Sequence, residues 1–171
     1  MTILVASVAL TVLLALASAS DLRARRVPNA LNGVILGAGV LFQVLSPRLG
    51  DGWSGAAGGL AVGFAIWFPM YLLRLIGAGD VKLFAAAAVW LGPRGAVAAS
   101  LVTTVAGALL GAGWMLCRQG PAATIFQLSQ MLRAPAQLQL PPVERQNTVP
   151  YALAVSVGIL TLWFWPALSK L

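Results

Sequence analysis

A chain of 171 residues that is 60% apolar, 9% charged and free of histidine, with a mean hydropathy of +0.89, has too little polar surface for a water-soluble globular domain. Its net charge of +7 would suit nucleic acid if the basic residues shared one face, but they fall between long apolar runs, so no nucleic-acid partner is expected. The expected environment is a bilayer whose anionic headgroups meet those basic residues.

Six stretches approach the roughly 20 apolar residues that a spanning helix needs. They run from Ile3 to Ser20, Ala30 to Leu45, Trp53 to Leu73, Val81 to Leu91, Ala96 to Cys117 and Val149 to Leu168. The expected fold is therefore an all-α, polytopic membrane bundle of about six helices, forming a single domain over residues 1–171. The first stretch ends in Ala17-Ser18-Ala19, which has the look of a signal-peptidase site. It lacks an amino-terminal positive charge, however, and Arg23, Arg25 and Arg26 follow where positive charge resists translocation, so a retained span is expected. The fourth stretch is too short to cross unaided; Gly92 and Pro93 must continue it, the bilayer must thin, or neighbouring helices must shield it. In the fifth, the single cysteine, Cys117, excludes an internal disulfide and a thiolate metal cluster, and reads as a small buried apolar residue. Gly55, Gly58, Gly59 and Gly63 in the third stretch, and Gly107, Gly111 and Gly113 in the fifth, suit close helix packing in lipid.

With six spans and the loop after the first placed inside, Arg23, Arg25, Arg26, Arg74, Lys82, Arg118, Arg133 and Arg145 face the cytoplasm, leaving Arg48, Arg94 and Lys170 outside. Eight against three favours that orientation and puts Asp21 and Asp80 on the cytoplasmic side. The longest connection, at about 118–148, carries Ile125, Leu128, Met131 and Leu132 at near-helical spacing before Pro135, Pro141 and Pro142. It reads either as a helix lying in the interface or as a simple tether.

Only four acids occur: Asp21, Asp51, Asp80 and Glu144. Asp51 lies among Pro47, Gly50 and Gly52, as a turn-forming aspartate does, and Glu144 adjoins Arg145 in a polar loop. Asp21 closes the first span and Asp80 opens the fourth within Gly77-Ala78-Gly79-Asp80. Ionisable groups at membrane depth are expensive, which makes each a site hypothesis. Their structural readings are a pairing of Asp21 with Arg25 and a helix N-cap at Asp80.

Two carboxylates, without histidine, a cysteine cluster or a placed Ser-Lys pair, suit aspartyl hydrolysis, in which one acts as base on water and the other donates a proton. Gly77 and Gly79 would let the backbone before Asp80 bend and a substrate strand approach. Asp80 stands at a helix N-terminus and Asp21 at a C-terminus, a contrast that would make Asp80 the base. The three arginines after Asp21 oppose that assignment, and a coupled dyad titrates as a pair, so the roles stay open.

Three segments resemble the type IV prepilin peptidases. The Asp21 segment ending in Arg26-Val27-Pro28-Asn29 is similar to that family's first aspartate motif, Gly77-Ala78-Gly79-Asp80-Val81-Lys82 to its second, and Val149-Pro150-Tyr151-Ala152 to the start of its last span. The two aspartates lie some 60 residues apart; order, spacing and membrane placement together make the resemblance specific. It implies catalytic Asp21 and Asp80, supporting roles for Gly77, Gly79, Pro28, Asn29 and Lys82, no metal or cofactor, and prepilin or pseudopilin precursors cut at the cytoplasmic face of a bacterial inner membrane. Lys82 would steer substrate or headgroups, or snorkel to the interface. Larger members add a methylating domain with paired cysteines, whereas this sequence resembles the short, peptidase-only form of tight-adherence (Flp) pili. Preflagellin or general intramembrane proteolysis, a small transporter and a non-catalytic scaffold remain as alternatives.

Overall fold

The computed structural model describes residues 2–45, 52–73, 76–121, 124 and 151–170. The expected turn at Asp51, the loop pair at Glu144 and Arg145, and nearly all of the 118–148 connection lie outside them. Among the described residues the fold is all helical: α1 (Thr2–Ala24), α2 (Asn29–Leu45), α3 (Gly52–Leu72), α4 (Ala78–Ala88), α5 (Gly92–Gln119), α6 (Tyr151–Phe164) and a short 3-10 turn, Pro166–Lys170. Three of these, α1, α3 and α5, are long and apolar enough to cross a membrane, while α2 and α6 are shorter apolar helices. The chain is a polytopic helical membrane bundle.

Packing contacts fix the directions. On α1 and α6, Trp163 Nε1 donates to Ser7 Oγ (2.9 Å) and Ser18 Oγ meets Ser156 Oγ (2.9 Å), so the two helices run antiparallel. On α3 and α4, Trp67 stacks on Phe84 (4.6 Å between centroids) while Gly63 packs on Ala85 and Ala88, again antiparallel. A Cβ on Gly63 would lie 2.8 Å from the Ala88 Cβ, so the helices approach this closely only because glycine leaves the space. Helix α2 runs parallel to α4: Trp90 Nε1 donates to Ile35 O (3.0 Å) and Gln43 Nε2 to Val89 O (2.9 Å) just beyond the end of α4, while Lys82 reaches Asn29 near its start. Gly107 of α5 packs on Tyr151 and Thr103 on Gly158, so α5 is antiparallel to α6, and the C-termini of α1, α3 and α5 and the N-termini of α2, α4 and α6 share one end of the bundle.

The short fourth helix is the core. Eleven residues rise only about 16 Å, far less than the hydrocarbon thickness of about 30 Å. Of the three accommodations open to it, the structure uses shielding: Leu83 through Trp90 are all buried, and α2, α3, α5 and α6 all pack on α4. Gly92 and Pro93 do not continue it. Gly92 turns the chain with φ +69° as the first residue of α5, and Pro93 follows in its first turn, where a missing N–H is harmless.

Cys117 differs from expectation: it is a free, exposed thiol. It sits in the last turns of α5, where Leu116 is exposed too, on a face turned away from the bundle. An apolar side chain tolerates that position because lipid is no worse a neighbour than protein.

Gly63→Leu should force α3 and α4 apart and lower the Tm of the detergent-solubilised protein, at a cost of about 1–3 kcal/mol. Gly37→Leu, at an exposed glycine with no neighbouring atom within 4 Å of its Cβ position, should leave Tm nearly unchanged.

Candidate active site

Asp21 lies inside α1 rather than closing it. The helix continues to Ala24 and stops where Arg25 takes φ +52°, with Arg25 N–H donating to Asp21 O (2.8 Å). A left-handed residue of this kind commonly ends a helix. The Arg25 guanidinium then lies over the Trp114 ring of α5, 5.3 Å from its centroid. Only 9% of the Asp21 surface is exposed, and its Oδ2 accepts a hydrogen bond from Ala152 N–H (3.2 Å) in the first turn of α6.

The Asp21–Ala152 contact is braced from below. Ser18, one turn earlier on α1, reaches Ala152 O (3.4 Å) and Ser156 Oγ (2.9 Å), while Ser156 Oγ donates to Leu14 O (3.3 Å). Hydroxyls buried between apolar helices bond across them or to the backbone, because no solvent is available to satisfy them.

Asp80 is the third residue of α4, and the N-cap is Gly77, not Asp80. Its Oδ2 accepts from Gly77 N–H (3.3 Å), while Asp80 N–H donates to Gly77 O (3.1 Å). This is the acidic half of a capping box. Neither Gly77 nor Gly79 has a positive φ, so glycine is not required there to bend the chain. The second expectation fares differently: Gly79 is exposed and no atom lies within 4 Å of its Cβ position, which leaves the backbone beside Asp80 approachable.

Asp80 interacts electrostatically with Asp21 and with Tyr151, the first residue of α6. The two carboxylates thus share one end of the bundle, although α1 and α4 make no close backbone contact with each other. Helices α2 and α6 each touch both α1 and α4 and so connect them. The helix-end contrast drawn from the sequence disappears here, since both carboxylates meet the N-terminus of a helix: α4 for Asp80, α6 for Asp21. The ring of Tyr151 is held edge-on to Trp67 (5.5 Å) and against Gly107 of α5, where any Cβ would collide with its phenol oxygen.

The two motifs also meet. Lys82 Nζ donates to Asn29 Oδ1 (3.5 Å), linking the start of α2 to α4, while Pro28 O accepts from Asn32 N–H (3.2 Å) in the first turn of α2. Asp21, Asp80, Gly77, Gly79, Pro28, Asn29 and Lys82 therefore gather at one end. Sequence reasoning missed Ser18, Ser156, Trp67 and the part played by Ala152. The available signal was polarity inside apolar runs: Ser18 stands three residues before Asp21, and Ser156 five after Tyr151. No group of three or more metal-ligating side chains occurs among the described residues.

A family model described as the type IV leader peptidase family matches residues 8–112, a segment holding both aspartates and both motifs. The chain belongs to the type IV leader peptidase family. Curated relatives include the prepilin leader peptidase/N-methyltransferases of Aeromonas hydrophila and of Aeromonas salmonicida strain A449, each 34% identical over 103 residues and 57% of this chain. The match covers 36% and 35% of those proteins, so the chain spans about a third of the length of these relatives. No solved structure matches the chain. The start of α6, which this leader peptidase family member places against Asp21, lies beyond the segment matched by the family model.

Ser18→Ala and Ser156→Ala should each destabilise the protein by about 0.5–1.5 kcal/mol. Unfolding titrations of the two single variants and the double variant should give a non-zero coupling energy, because the hydroxyls contact each other.

Proposed function

We propose that this chain is a membrane aspartyl endopeptidase that removes the leader from type IV prepilin-like precursors, with Asp21 and Asp80 as its catalytic pair. The observation that carries the reading is the convergence of these two acids, 59 residues apart in sequence, at one end of an apolar bundle where each is held by the first amides of a helix. Family membership supports the same chemistry.

In the reaction, one carboxylate takes a proton from water as the water oxygen adds to the scissile carbonyl carbon. The other, protonated, donates to the carbonyl oxygen. Collapse of the tetrahedral intermediate breaks the C–N bond, the departing nitrogen takes a proton, and the leader leaves with a new carboxylate. The pair shares one proton because two adjacent negative charges repel. The unwound precursor segment would pass between the ends of α1 and α4, which make no close backbone contact, and the open flank at Gly79 gives it an approach.

The distribution of basic residues supports an inner-membrane protein with this end of the bundle facing the cytoplasm, where a leader preceding a hydrophobic helix is accessible. Residues 1–171 act as one peptidase domain without methyltransferase chemistry, and the precursor is of the Flp type. Lys82 and Asn29 hold α4 to α2, and Lys82 offers positive charge at the mouth of the site to headgroups or substrate.

Membranes containing the wild-type chain and a co-expressed Flp-type prepilin should convert the precursor to a shorter band on a gel. Asp21→Asn and Asp80→Asn, at unchanged membrane levels, should each lower the rate by at least about 100-fold. Normal cutting by either variant would remove the dyad; no cutting by wild type would remove the proposed substrate.

A further inference from the structure

Asn32 has no place in the dyad, yet it is the most anomalous polar group near it. Only 7% of its surface is exposed, and both its Nδ2 and its Oδ1 lack a hydrogen-bond partner. The other buried orphans are single atoms: Gln43 keeps a bond through Nε2, whereas in Asn32 a whole carboxamide is idle. Leaving a buried donor or acceptor unsatisfied costs about 1–3 kcal/mol, and native proteins seldom retain such a group without a use for it.

Its position suggests that use. Asn32, Ile35, Gly39 and Gln43 form the buried stripe of α2, and contacts from Ile35, Gly39 and Gln43 to Val89 and Trp90 show that this stripe faces the α4 side. Asn29, one turn before Asn32, meets Lys82, two residues beyond Asp80. Because α2 and α4 run parallel, Asn32 lies about one to two helical turns deeper than Asp80, on a helix that touches both α1 and α4.

A precursor cut at this site must present an unwound peptide. Inside a bundle, where little water reaches, its freed N–H and C=O groups need protein partners. A carboxamide offers one donor and one acceptor side by side, the complement of a single peptide unit. We propose that the Asn32 side chain binds the backbone of the precursor near its scissile bond, pairing with one N–H and one C=O as the segment passes between α1 and α4. This proposal rests on the peptidase reading above.

The test uses the purified full-length chain in detergent with an Flp-type prepilin. Asn32→Leu, close in volume and unable to hydrogen-bond, should lower kcat/KM by about 10- to 100-fold, chiefly through KM. Its Tm should hold or rise, since an unpaired amide has left the interior. Asn32→Thr, which restores a donor and an acceptor, should recover part of the loss. Cutting by Asn32→Leu within twofold of wild type would overturn the proposal while leaving the peptidase reading intact. So would a fall in Tm with activity in both variants, which would mark Asn32 as structural. A wild type that does not cut this prepilin would instead remove the proposed substrate, and this proposal with it.

Discussion

The bond from Ala152 N–H to the Asp21 carboxylate joins the first helix to the last, and the arrangement of the site depends on it. A carboxylate within an apolar bundle must find donors, and the start of a helix supplies amides that have no partner within their own helix. Bringing α6 to α1 in this way also brings Tyr151 beside Asp80 and closes the bundle around α4. The serines beneath hold the register of that meeting, and Trp163 with Ser7 repeats it at the far end. Displacing the start of α6 would disturb one carboxylate directly and the surroundings of the other.

Helix α4 shows how a segment too short to span can still be central. Its alanines let α3 approach through Gly63, and its aromatic contacts divide between two ends: Phe84 with Trp67 near the site, and Trp90, just past the helix, with Phe42 and Trp163 far from it. Asp80 consequently projects from a rigid, buried element, while Gly79 beside it stays open. That combination suits a catalytic group that must hold still while a peptide arrives. The absence of close backbone contact between α1 and α4 leaves their separation to the packing of α2 and α6, which touch both.

The residue types made much of this legible. With only four acids in the chain, two of them at the edges of apolar runs, membrane energetics singled out Asp21 and Asp80 as site hypotheses, and the resemblance of their flanking segments supplied the roles proposed for them. Helix positions followed from hydropathy, though Asp21 lies within α1 because the helix ends at a left-handed Arg25 that periodicity does not mark. The shielding of α4 was one of three physical options, and neighbours distant in sequence decided it. The bond from Ala152 to Asp21 spans 131 residues, and no local pattern encodes it. Cys117 was misread because an apolar run does not say which of its sides meets lipid. Gly77 and Gly79 suggested a bend, whereas the structure uses Gly77 as a helix cap and leaves Gly79 clear.

The central claim, that Asp21 and Asp80 act as one site, is tested most directly by binding a peptide spanning the precursor's processing position, with the scissile unit replaced by a hydroxyl-bearing tetrahedral isostere. The account predicts that the wild-type chain in detergent binds this peptide more tightly than the matching substrate sequence, and that Asp21→Asn or Asp80→Asn alone abolishes the advantage. An advantage that survives either substitution, or depends on only one of the two aspartates, would contradict it.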